Sequence, residues 1–114
     1  MSRLAPGGDA TLALTTASSS EEAERIGVAL VEQELAACCN VVGPIRSIYR
    51  WKGAVLREPE FLVLIKTRRE LLERLAIRLR ELHTYDCPEL ITFPVETGLA
   101  DYLGWLSSST GSSR

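Results

Sequence analysis

Apolar and polar positions recur at two different periods along this chain of 114 residues, and each change of period marks an element. Thr11-Leu12-Ala13-Leu14-Thr15 alternates and predicts a short strand. Ser18 to Glu22 then supplies serine oxygens and acids, which suit the exposed N–H groups and positive end of a starting helix. Ile26, Leu30 and Ala37 follow at helical spacing, and Val31, Leu35 and Cys38 widen that face, so a first helix is expected to end near Cys39-Asn40. After Val41-Val42 and a Gly43-Pro44 break, Ile45 to Trp51 returns to period two. Ile45, Ser47, Tyr49 and Trp51 fall on one face there, and Arg46, Ile48 and Arg50 on the other. Lys52-Gly53 reads as a turn or bulge. Phe61 to Ile65 is a continuous apolar run, expected as a central strand covered on both faces and joined to the preceding segment in a long hairpin. Leu72, Leu75, Ala76, Leu79 and Leu82 form the stripe of a second helix, closed by His83 to Pro88. Leu90 to Phe93 is a fourth strand stopped by Pro94. Leu99, Tyr102, Leu103 and Leu106 fit a short terminal helix.

The order β-α-β-β-α-β plus a final helix predicts an α+β chain of the ferredoxin-like, split βαβ kind: an antiparallel sheet with two helices on one face. The other sheet face is then uncovered in a single chain. Tyr49 and Trp51 are expected there, and an exposed aromatic patch marks an interface, so an oligomer is expected. Residues 1–9 read as a flexible N-terminal arm, 10–106 as one domain, and 107–114 as a disordered Ser-rich tail.

Composition narrows the classes. With 46% hydrophobic and 25% charged residues the chain is an ordinary globular domain, neither disordered nor fibrous. Thirteen Lys and Arg against 15 Asp and Glu leave a formal charge of −2, without the basic excess of a nucleic-acid binder. No apolar run reaches the roughly 18 residues of a membrane span, and Met1 to Asp9 lacks the apolar stretch of a secretory signal. Cys38, Cys39 and Cys87 are odd in number and two are adjacent, which indicates a reducing, cytoplasmic setting with free thiols.

Nucleophilic catalysis and phosphate cradles find no support: there is one histidine, no G-x-S-x-G and no Walker spacing. His83, Asp86, Cys87 and Glu89 share one short turn, and imidazole with thiolate suits copper or zinc. The spacing is unspecific, however, and His83 equally suits the negative end of the second helix. Glu60, Asp86 and Glu89 stand at element boundaries, where acids are commonly solvated. Lys66 either carries its ammonium out to water from the end of its strand or pairs with Glu60 or Glu89 in a subunit cleft that could shape a small-ligand site.

These residues together resemble the CutA family of divalent-cation tolerance proteins. The matching stretches are Glu34-Leu35-Ala36-Ala37-Cys38, Pro44 with Ser47 to Gly53, Glu60, Lys66-Thr67, His83 to Glu89, Pro94, Gly98 and Tyr102 to Leu106. They cover roughly residues 11 to 106. The resemblance implies a ferredoxin-like subunit in a tight homotrimer, architecturally like the PII signalling proteins. It also implies a non-enzymatic role in the response to divalent metal ions, with copper as the candidate ion. Some members carry a cysteine where this chain has Thr15, and two consecutive histidines where it has Leu82 and His83. Of that copper set only His83 is present, with Cys87 as a possible substitute ligand. The expected metal pair is therefore His83 and Cys87. Tyr49, Trp51, Glu60, Lys66, Tyr85 and Glu89 are expected to line a ligand cleft or interface, taking a metal ion or an unidentified small ligand.

Overall fold

The computed structural model describes residues 3–111, and it is an α+β structure with antiparallel sheets and three helices. Its elements are β1 (Leu4–Pro6), β2 (Ala10–Ala17), α1 (Ser20–Glu32), β3 (Cys38–Trp51), β4 (Ala54–Arg68), α2 (Leu72–Leu82), β5 (Ile91–Pro94), β6 (Thr97–Leu99) and α3 (Ala100–Ser108). Four strands form the main sheet in the order β3-β4-β2-β5, while β1 and β6 make a separate pair. No helix among the described residues is long and apolar enough to cross a membrane.

The main core lies between the sheet and the helices. Ala13, Val63 and Ile65 from the strands meet Ile26 and Leu30 of α1 and Leu75 and Leu79 of α2, all buried. The predicted α2 stripe is therefore the packed one. In β2 and β4 the odd-numbered residues face α1 and α2, and the pleat turns the even ones to the opposite side, where Leu106 of α3 covers Ala10. Leu12, Leu14, Leu62 and Leu64 there are only partly buried, with Phe93 of β5 in register beside Leu12. The run Phe61 to Ile65 is thus covered by helices on one face, not two.

The long hairpin forms as expected. Lys52 and Gly53 take positive φ values of 51° and 83°, the two-residue turn whose twist suits antiparallel strands. The register shifts between Val42 and Ile45, so the Gly43-Pro44 break is a bulge within one long strand and not a gap between two. Beyond it the hairpin runs on as a two-stranded ribbon.

Three expectations need correction. The first helix stops at Glu32 rather than near Asn40, because Glu34 adopts a left-handed φ of 59° and Cys38 already begins β3. Leu35, Ala36 and Ala37 are buried as a helical face would be, but in a turn whose Leu35 and Ala36 N–H groups both donate to the Leu30 carbonyl. The arm also has structure: Leu4, Ala5 and Pro6 pair with Leu99, Gly98 and Thr97. In the tail, Ser107 and Ser108 belong to α3, and Thr110 is buried. Arg68 holds that end, donating to the Thr110 hydroxyl at 2.8 Å and carbonyl at 3.2 Å, while the Gly111 N–H donates to the Glu34 carbonyl. The rest of both terminal expectations, residues 1–2 and 112–114, lies outside the described residues.

Candidate functional site

One buried carboxylate organises the region after α2. Ser19 caps α1, its hydroxyl accepting from the Glu22 N–H at 3.0 Å. Glu22 in turn accepts from the Ser18 N–H and hydroxyl with one oxygen, and from the Thr84 N–H (2.9 Å) and hydroxyl (2.8 Å) with the other. Burial alone would raise the pKa of this carboxyl, but the bonds from Thr84 and Ser18 outweigh it and hold it at about 2. The start of α1 is thereby fastened to the turn that follows α2.

His83 ends α2, and its side chain is fully buried. Its Nε2 lies 2.6 Å from the Thr16 carbonyl and its Nδ1 3.1 Å from the Tyr85 backbone nitrogen. A carbonyl only accepts and an amide N–H only donates, so these contacts suit the tautomer with its proton on Nε2, and the Glu22 carboxylate lies 3.5 Å from Nδ1. Both ring nitrogens are engaged. The ring also packs against Tyr85 at a centroid distance of 4.7 Å. Tyr85 passes the connection on, its hydroxyl donating to Glu60 at 2.6 Å. A line of contacts thus runs from α1 through Glu22, Thr84, His83 and Tyr85 to the ribbon.

Between that turn and the ribbon opens a cleft of about 520 Å³. Tyr49, Trp51, Glu58 and Glu60 line it from the ribbon, and Tyr85, Asp86, Cys87 and Glu89 from the turn. The Tyr49 hydroxyl donates to Glu58 at 2.7 Å, an acceptor that raises the pKa of this phenol. Burial and then the Glu60 carboxylate raise that of Tyr85. Five of the six residues expected to line a cleft therefore meet in one: Tyr49, Trp51, Glu60, Tyr85 and Glu89.

Lys66 does not join them. It shares a strand face with Glu60 but stands six residues along, about 20 Å away at strand rise, and its ammonium donates to Asn40 at 2.7 Å. Neither expected carboxylate partner is reached. Cys87 is exposed at the cleft, while His83 lies beneath Tyr85. Among the described residues no three His, Cys, Asp or Glu side chains converge as a ready metal cage. Thr16, Ser47, Ile48 and Glu58 also line the cleft without having been expected there, although Glu58 precedes Glu60 by two and period two puts both on one face. The three cysteines are free; burial, then neighbouring Cys38, pushes the Cys39 thiol up to about 12.

Comparison with known proteins adds identity to geometry. Residues 11–109 match the family described as CutA1 divalent ion tolerance protein. The chain is 44% identical over 98 residues to the divalent-cation tolerance protein CutA of Thermus thermophilus, covering 86% of this chain and 95% of that one. It is 41% identical over 95 residues to the chloroplastic CutA of Arabidopsis thaliana, covering 83% of this chain but only 52% of the plant protein. The solved structure of CutA from Synechococcus elongatus superposes with a TM-score of 0.91 at 38% identity, covering 96% of each chain.

Proposed function

The chain belongs to the CutA1 family of divalent ion tolerance proteins, and from that premise we propose that it acts in the response to divalent metal ions as a non-enzymatic homotrimer, holding a divalent cation, Cu(II) included, at the acidic cleft beside its ribbon. The observation that carries this reading is the cleft itself: Glu58, Glu60, Asp86 and Glu89 line it, and no Lys or Arg does. Such a lining concentrates cations. Cys87 adds an exposed thiol to that lining as a further donor. His83 joins it as a ligand only by releasing the Tyr85 N–H or the Thr16 carbonyl, and otherwise serves to position Tyr85. The strand order β3-β4-β2-β5 supports the ferredoxin-like arrangement. Leu12, Leu14, Leu62 and Leu64, only partly buried on the sheet face away from α1 and α2, support self-association. Free thiols support a reducing, cytoplasmic setting.

Native mass spectrometry with Cu(II) tests the proposal. The expected result is a trimer holding one copper per subunit, with copper lost in Cys87→Ser. Nonspecific adducts alone, or copper retained in full by Cys87→Ser, would overturn the copper assignment, and a monomer would overturn the assembly. A second reading, a small-ligand or signalling trimer with its cleft between subunits, is favoured by the aromatic lining of Tyr49, Trp51 and Tyr85.

A further inference from the structure

Deepening the reading of the cleft as a cation site, and resting on it, we infer that its preferred occupant is an organic polycation, a small molecule bearing two or more alkylammonium groups. Size is the first argument. The volume of about 520 Å³ falls in the range of small-ligand pockets, about 300–1,000 Å³, whereas one water occupies only about 30 Å³. A lone metal ion with its hydration would leave most of that space to solvent.

Ring chemistry is the second. Tyr49, Trp51 and Tyr85 present aromatic surface to the cleft, and a ring face attracts an ammonium group through its quadrupole. The Trp51 ring already does so within the chain, with the Lys52 Nζ 6.0 Å from its centroid.

Charge placement is the third. On the ribbon the pleat sorts charge by face: Glu58 and Glu60 lie in register with Ser47 and Ile45, while Arg46, Arg50 and Arg57 occupy the opposite face. Among the described residues none of the four cleft carboxylates has an ion-pair partner. Glu58 and Glu60 each accept one tyrosine hydroxyl, which leaves further lone pairs on each carboxylate for N–H donors. The acids are spread around the cleft and do not converge on one point. Spaced negative charges complement spaced ammonium groups, and alkyl segments between those groups suit the rings.

Isothermal titration of the full chain with spermidine, 1,4-diaminobutane and 1-aminobutane tests this, with Cu(II) titrated separately. Trp51→Ala and Glu89→Gln serve as variants, both at exposed positions, with folding checked by circular dichroism. The expected order of affinity is spermidine, then diamine, then monoamine, with each variant weakening spermidine about tenfold. Copper binding without spermidine binding overturns the polycation and keeps the cation site. Spermidine binding that both folded variants leave unchanged also overturns it, since the contact is then elsewhere. Failure of both titrants overturns the cation reading itself.

Discussion

Replacing Glu22 by Gln removes one charge from a site built around it. Four donors, the N–H and hydroxyl groups of Ser18 and Thr84, point at two carboxylate oxygens with only 6% of the side chain exposed. Gln offers one oxygen and turns an NH₂ toward the remaining donors. The magnitude follows from linkage. A carboxyl at about 2 in the folded protein against 4.5 when unfolded favours folding by about 3 kcal/mol in its charged form. Because the folded value is the lower one, this stabilisation is complete above the unfolded value and disappears as pH falls from about 4.5 toward 2. Urea unfolding followed by circular dichroism, at one fixed protein concentration so that assembly does not shift the result, gives the difference between wild type and Glu22→Gln. It is expected to be about 3 kcal/mol at pH 6 and to shrink toward zero near pH 2. Equal stability at pH 6, or a gap that does not close in acid, would refute the reasoning.

Two further outcomes follow from buried groups. The Thr15 hydroxyl is fully buried without a hydrogen-bond partner, so Thr15→Val is expected to stabilise the fold by about 1 kcal/mol in the same urea assay, and a loss of stability would contradict this. With its pKa pushed up to about 12 the Cys39 thiol is protonated at pH 8; iodoacetamide should label exposed Cys87 in the native protein and Cys39 only after denaturation, which peptide mass mapping reads directly. Rapid native labelling of Cys39 would refute its burial.

Periodicity made the regular elements legible. The α2 stripe, the alternation of β2 and the hairpin could be read because each is a local pattern of burial. The end of α1 could not, since Leu35 to Ala37 keep a helical-looking apolar face while one backbone angle at Glu34 redirects the chain. Pairing of Leu4–Pro6 with Thr97–Leu99 joins segments more than 90 residues apart, and no local pattern announces it. Arg68 seizing Thr110 is likewise a long-range contact between polar residues that read as ordinary surface. At the cleft, Tyr49, Trp51, Glu60, Tyr85 and Glu89, singled out by residue type, fall together in space. Within the chain Lys66 stands apart from that cleft, since its distance along β4 keeps it from Glu60 and its ammonium donates to Asn40 across the sheet.

The ribbon's sorted faces also constrain how its length can change over descent. Adding or deleting one residue in β3 past the bulge would exchange the inward and outward sets, carrying Arg46 and Arg50 to the cleft and Tyr49 and Trp51 away from it. Insertions or deletions of two residues in each strand keep both the pairing and the face of every side chain they displace. The hairpin is therefore a module that can lengthen or shorten in even steps, with the turn at Lys52-Gly53 moving outward or inward while the acidic lining stays in phase with the turn of Tyr85 to Glu89.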